Sequence, residues 1–338
     1  MNNSQNASGK PACYVVSQII TVYLYPFLNV TGIIFNLFNA FTFYSIIKNN
    51  KNVKGYLYKY LLAKSLNDCY LFVVNIFSVG YFCFNCPNSY TYWIQVWYIT
   101  CFAYFSLATE LYSTFLDIFA CLDRLLLMTS LFDKLKFYQS KYFSYIVIFF
   151  LMIFSLVFYV HRFFDFEIYA INNSSQYKIR NTEFFTIDFS KTMRWLHIII
   201  RDVMGLTLII AFNTMIMINF QKLMKKKEKL TSKKLSRQER KDREVTLMVL
   251  CNGVVFVFGH TPIFICYLPL FNFTNFSCAF DISRFILIFS YWIGFFFYYS
   301  FNLQFRRRFK ELFGIRIIKS KTTDINTEAS VTKTKTAT

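Results

Sequence analysis

"ELYSTFLDIFACLDRLLLM", residues 110–128, places Glu110, Asp117 and Arg124 seven residues apart in a run that is otherwise mostly apolar. Seven residues make two turns of an α-helix, so these three charges lie near one face and apolar side chains take the rest. Ser113 lies one turn from Glu110, on the same side. Such a helix suits a bilayer, where its apolar faces meet lipid and one polar seam meets other helices.

The whole chain has the same character. Of 338 residues, 55% are hydrophobic and 21% aromatic, with nine glycines and five prolines, too apolar for a soluble domain of this length. A helix needs roughly 20 apolar residues to cross about 30 Å of hydrocarbon. Seven runs meet that need, near residues 18–47, 57–82, 93–127, 141–160, 196–223, 245–270 and 281–301. They are continuous and do not alternate with period two, which argues against a barrel and for helices. The predicted fold class is therefore an all-α membrane protein, a seven-transmembrane helix bundle over residues 18–301. Residues 1–17 form a polar tail without a cleavable signal, so the first helix serves as the signal. Residues 302–314 read as a short amphipathic helix at the membrane interface. Phe305, Phe309, Leu312 and Phe313 share one side of it, opposite arginines and a lysine. Residues 315–338, rich in Lys, Thr and Ser, read as a disordered tail.

Basic residues orient the bundle. Counting residues at helix ends, 28 of the 37 lysines and arginines follow helices one, three and five or lie in the C-terminal segment. That asymmetry predicts an extracellular N-terminus and a cytoplasmic C-terminus, in a multi-pass protein of the plasma membrane. The net charge of +19 is then mainly a cytoplasmic face attracted to anionic membrane lipid, with no nucleic-acid partner. Glycosylation sequons at Asn2, Asn6, Asn172, Asn173, Asn272 and Asn275 all fall on the segments assigned to the outside.

Against this topology Asp123 and Arg124 lie at the cytoplasmic end of helix three, in "LDRLLL". Helix one holds "GIIFN", Gly32 to Asn36; helix two holds "SLND", ending in Asp68; helix six holds "FVFGHTP", with Phe256, His260 and Pro262; helix seven keeps Tyr298 seven residues before Phe305. On these residues the chain resembles the rhodopsin-like (class A) G-protein-coupled receptors, in particular the neuropeptide-receptor type, over roughly residues 18–314. It departs from them at Leu125 for tyrosine, at Gly259 and His260 for Cys-Trp, and at Gly294 and Phe295 for Asn-Pro. The segment between helices four and five also lacks the cysteine of the usual loop disulfide.

The resemblance implies a receptor that binds an extracellular ligand and activates a heterotrimeric G protein. Asp123, Arg124, Asp242, Tyr298, Pro262, Phe256 and His260 would form the coupling and switch machinery. At rest Arg124 would pair with Asp123 and with Asp242, which lies 20 residues before Pro262. Asn36, Asp68 and Ser113 resemble the family's sodium-linked polar core, from which Gly294 removes one partner. Lys64 and Asp117 would add an ion pair just below, joined by Asn252, since each otherwise interrupts an apolar stretch at high cost. Lys64 could equally pair with Asp68, four residues on. Glu110, Arg201, His260 and Arg284 would line the outer ligand cavity, and mixed charges among aromatics suit a peptide or a polar small molecule. In the family the first and seventh helices are neighbours, which makes Cys13 and Cys278 a candidate disulfide; Cys83 and Cys86 could instead close a small loop or pair elsewhere.

Other classes fit less well. A membrane enzyme calls for clustered histidines, a nucleophile with its base or metal ligands. Here His161, His197 and His260 stand far apart, so no catalytic residue, metal site or cofactor is expected. A transporter or channel is the alternative reading, because helices two, three and five bear charges, although internal repeats are not evident.

Overall fold

The structure is a computed structural model that describes residues 12–49, 56–76, 90–129, 135, 140, 142–171, 175–230, 237–268 and 273–314. Of residues 12–14, 226–230, 237–242, 273–275 and 277 it describes the backbone alone. Seven long helices make up most of the described chain. Helix α1 runs Ala12–Ile19, through π-turns at Ile20–Leu24, to Tyr25–Asn49. Helix α2 is Leu57–Ile76, and α3 joins Tyr92–Trp97, a π-helical stretch at Tyr98–Ser106 and Leu107–Met128. Helix α4, Phe143–Tyr159, ends in a 3-10 turn at Val160–Phe163. Helix α5 joins Asp188–His197, a π stretch at Ile198–Met204 and Gly205–Leu230. Helices α6, Arg237–Tyr267, and α7, Phe273–Phe301, are followed by the short α8, Leu303–Leu312.

Neighbouring helices close a ring: α1 packs on α2 and α7, α2 on α3, α3 on α4 and α5, α5 on α6 and α6 on α7. Helix α3 also touches α6 across the middle. Five helices are long and apolar enough to span a bilayer on composition alone; α2 carries Lys59, Lys64 and Asp68 within 20 residues. The burial pattern is the reverse of a soluble core. Phe258 is 72% exposed and Phe149 and Phe150 also face outward, whereas Lys64, Asp68, Asp117, Arg201 and Asp202 are buried. Lipid solvates the apolar rim, and the charged groups find one another inside.

Several helices outrun their apolar runs. Helix α1 starts six residues before the predicted span at 18–47, α5 begins at Asp188 and α6 at Arg237. An apolar run marks only the hydrocarbon layer, and a helix continues into water wherever other contacts hold it. For α1 one such contact is the Ser17 hydroxyl, which donates to the Asp281 carboxylate of α7.

Between α4 and α5 lies a hairpin that the sequence reading does not contain. Strand β1, Phe166–Ala170, pairs antiparallel with β2, Tyr177–Asn181, with Phe166 opposite Asn181 and Ala170 opposite Tyr177. The Tyr177 N–H donates to the Tyr90 carbonyl at 2.8 Å, tying the hairpin to the approach to α3. At its base the buried Asp165 carboxylate accepts from Arg162 at 2.7 Å and from the Ser190 hydroxyl at 2.5 Å, with Arg194 3.7 Å away. The bundle thus has a hairpin end and an opposite α8 end.

Helix α8 starts where Asn302, its N-cap, accepts from the Phe305 N–H at 3.0 Å. Phe305 is buried, while Phe309 and Phe313 pack edge-on against Phe38 of α1. On the other side Glu311 accepts from Arg307 and Arg308, and the Arg307 hydrogen bond lowers its pKa.

Candidate functional site

At the hairpin end the helices part around a cavity of about 490 Å³, bordered by Tyr98, Phe102, Trp195, Tyr267 and Phe280 together with Glu110, Arg162, Lys191, Arg194, Arg201 and Arg284. The π stretches of α3 and α5 both border it. In a regular α-helix adjacent residues diverge by about 100°. In the wider turn at Ile198–Met204, Arg201 and Asp202 are both fully enclosed, at 1% and 0% exposure. The Arg201 guanidinium binds Glu110 at 2.6 Å and holds Asp202 through two donors at 2.9 and 3.1 Å. Such π-bulges recur at functional sites.

Of the four residues predicted to line this cavity, Glu110, Arg201 and Arg284 do so. His260 sits one layer deeper. Its ring stacks on Phe256 at 3.9 Å, its Nδ1 lies 3.8 Å from Asp202 Oδ1, and its Nε2 lies 3.4 Å from the Tyr291 hydroxyl. Tyr291 in turn presents its ring 5.0 Å from the Lys64 ammonium.

Lys64 is the centre of a buried ion cluster. Its Nζ lies 3.0 Å from Asp117 Oδ2 and 3.3 Å from Asp68 Oδ2, and it donates to Ser113 Oγ at 2.7 Å. Ser113 in turn donates a hydrogen bond to Asp68 Oδ1 at 2.8 Å, and Asn252 of α6 donates to Asp117 Oδ1 at 3.0 Å. Both pairings open to Lys64 therefore occur together. Asn36 lies beside the cluster, in the wall of a small void it shares with Asp68 and Lys64, and donates to its own helix at Gly32 O.

Toward the α8 end, Asp123 turns away from its neighbour Arg124 and accepts from the Tyr56 and Leu57 N–H groups at 2.8 and 3.2 Å, capping α2. Arg124 is buried at 7% exposure, its Nε has no hydrogen-bond partner, and it forms no ion pair among the described residues. The Asp242 side chain lies outside the described residues. Tyr298 is buried between Phe43 and Phe305, at ring distances of 5.1 and 5.9 Å, and Pro262 lies within α6. Cys278 is disulfide-bonded, whereas Cys69, Cys101, Cys121, Cys251 and Cys266 are free. Its partner is thus among Cys13, Cys83 and Cys86, whose side chains lie outside the described residues, as do the side chains of the six sequon asparagines.

Sequence reasoning passed over Asp202, Asn75 and Asp165. Asp202 had a signal: it is a second charge beside Arg201 in an apolar run, and the membrane-cost argument applied to Lys64 applies to it equally. Asn75 and Asp165 had none, because a lone asparagine or a loop aspartate is unremarkable until its partners are in place.

The family model of the serpentine type 7TM GPCR chemoreceptors, Srw, matches residues 22–316, nearly the whole bundle and α8. No curated protein matches the chain significantly. Seven apolar helices around a buried ionic seam, with a charged cavity at one end, agree with that match: the chain belongs to the Srw family of serpentine seven-transmembrane chemoreceptors.

Proposed function

We propose that the protein is a plasma-membrane receptor that works as the rhodopsin-like receptors do. The hairpin end and a glycosylated N-terminus face outward, and the α8 end faces the cytoplasm, a topology that the distribution of basic residues and sequons supports. A peptide or polar small molecule enters the hairpin-end cavity and a heterotrimeric G protein engages the other end. The observation that carries this reading is a file of buried polar groups through the bundle, joined by ion pairs and hydrogen bonds except for a 3.8 Å step from Asp202 to His260 and a ring contact from Tyr291 to Lys64. It runs from Glu110 and Arg201 to Asp202, His260, Tyr291 and Lys64, and on to Asp117 and Asn252. A ligand that alters the first pair changes the charge balance felt by α6, and only such differential binding shifts a conformational equilibrium.

Pro262 removes one backbone hydrogen bond and allows the cytoplasmic half of α6 to swing. Asp242 restrains Arg124 at rest; once α6 moves, Arg124 meets the G protein and Tyr298 supports the opened form. Family membership gives no support to the transporter or channel alternative. The test is nucleotide exchange on co-expressed G proteins, challenged with peptides and polar metabolites. Arg124→Ala should abolish exchange and retain ligand binding. Substrate accumulation or ionic current without any exchange would overturn the reading.

A further inference from the structure

Five cations border the hairpin-end cavity, and four of them have internal carboxylates. Arg201 is held by Glu110 and Asp202, Arg162 and Arg194 by Asp165, and Lys191 by Asp188 at 3.4 Å. Arg284 differs. Its guanidinium carbon sits 3.9 Å over the Phe102 ring, and one donor, Nη2, reaches the neutral amide oxygen of Asn75 at 3.1 Å. Among the described residues no carboxylate forms an ion pair with it. Asp281, three residues earlier on α7, is near enough to feel its charge, but its carboxylate accepts from Ser17 and makes no ion pair with the arginine. Asn75 is itself oriented, since its Nδ2 donates to Leu71 O at 2.9 Å, which leaves its Oδ1 for the arginine. Arg284 is thus a half-buried guanidinium with fixed pose and most of its five N–H donors unspent, on the wall of a cavity.

We propose that the ligand carries a carboxylate and that Arg284 receives it, an inference that rests on the receptor reading above and names its ligand class. The planar guanidinium matches a carboxylate in a two-bond fork, and a half-buried site strengthens each charge-assisted bond. One guanidinium without an ion-paired carboxylate can neutralise at most one negative charge, which favours a monoanion over a phosphate dianion whose second charge would be stranded. The other walls, Phe102, Tyr267, Phe280, Ile263 and Leu287, suit an apolar body attached to that group. An organic acid and the free C-terminus of a short peptide offer the same chemistry.

The experiment uses the purified full chain and follows its thermal unfolding with two probe sets. One is hexanoate, benzoate and phenylpropionate against their primary amides; the other is apolar tripeptides with free or amidated C-termini. At least one carboxylate should raise the unfolding temperature while its amide does not, and the set that responds tells acid from peptide. Arg284→Gln should weaken that binding about tenfold or more, the scale of one lost charge-assisted contact. Asn75→Asp, which keeps the arginine and adds an internal carboxylate at the contact, should weaken it comparably even if the first variant folds poorly. Equal stabilisation by amides, unchanged affinity in Asn75→Asp, or no stabilisation by any probe overturns the proposal. Nucleotide exchange separates the two readings. Carboxylate binding without exchange sinks the receptor reading alone, whereas full activation of Arg284→Gln by a neutral probe sinks the carboxylate alone.

Discussion

Lys64 serves two acids at once, and its two partners do not depend on it equally. Removing Asp117 leaves the ammonium with Asp68 and Ser113; removing Lys64 leaves two buried carboxylates facing each other without a counter-ion. Breaking a buried pair by deleting one partner costs about 3–5 kcal/mol, whereas replacing both by apolar groups is often near neutral. Lys64→Leu should therefore reduce surface expression and thermal stability more than Asp117→Leu, and the double variant should lose less than the sum. Strict additivity in that cycle would remove the pair from the account. The Lys64 cluster was legible in the sequence because a charge in an apolar run must find a partner. What the sequence did not show is that one ammonium meets both acids, since that depends on where α2 faces α3 and not on spacing along either. His260 fell one layer below its expected place for a related reason: the π turn of α5 brings Asp202 above it, and a local widening leaves no periodic mark.

At the scale of elements, the contacts that set helix spacing are equally specific. A Cβ on Gly32 would lie 2.6–2.7 Å from three atoms of the buried Phe72 ring, so the α1–α2 approach depends on the missing side chain. Overpacking of this kind costs about 1–3 kcal/mol. Gly32→Ala should lower the unfolding temperature, and adding Phe72→Leu should restore part of it; no change in the single variant would contradict the close approach. The hairpin offers a second case. Without the usual loop disulfide, the Tyr177–Tyr90 backbone bond and the Asp165 hub hold it to the bundle. Asp165→Asn keeps the shape but leaves Arg162 and Arg194 without their shared charge. A loss of about 1.5–3 kcal/mol follows for charge-assisted bonds at an enclosed site, seen as faster proteolysis of the hairpin. Protection equal to the parent chain would rule it out. The apolar middles of all seven helices were readable, but their polar ends and the hairpin were not. Strands Phe166–Ala170 and Tyr177–Asn181, FEIYA and YKIRN, do alternate, but runs of five residues in a connecting segment are short, and what holds them is Asp165, whose partners come from flanking segments.

For the whole molecule, the polar file joins five helices, α2, α3, α5, α6 and α7, so a change at the cavity need not be relayed through lipid-facing contacts. The ring of helices could be inferred from composition and motif, because membrane physics leaves few alternatives. Its interior wiring could not, because it is made of pairs distant in sequence. The tie between α1 and α7 through Ser17 and Asp281 places Cys13, one turn before Ser17, close to Cys278, three residues before Asp281. Non-reduced peptide mapping should find those two cysteines linked; Cys278 linked to Cys83 or Cys86 would refute it.

The ammonium of Lys64 is also a cation that cannot leave. The void beside it, shared with Asn36, Asp68, Gly294 and Tyr298, holds about 10 Å³, no more than room for about one water. A dissociable ion at such a place would come and go with the composition of the surrounding fluid, and the resting state would drift with it. A counter-ion carried on a four-carbon stem stays at unit occupancy in any medium. A chemoreceptor built this way would report its ligand against a changing salt background. Replacing external sodium with N-methylglucamine at constant ionic strength should leave half-maximal ligand concentration and basal nucleotide exchange unchanged; a sodium-dependent shift in either would show that a mobile ion shares the cluster.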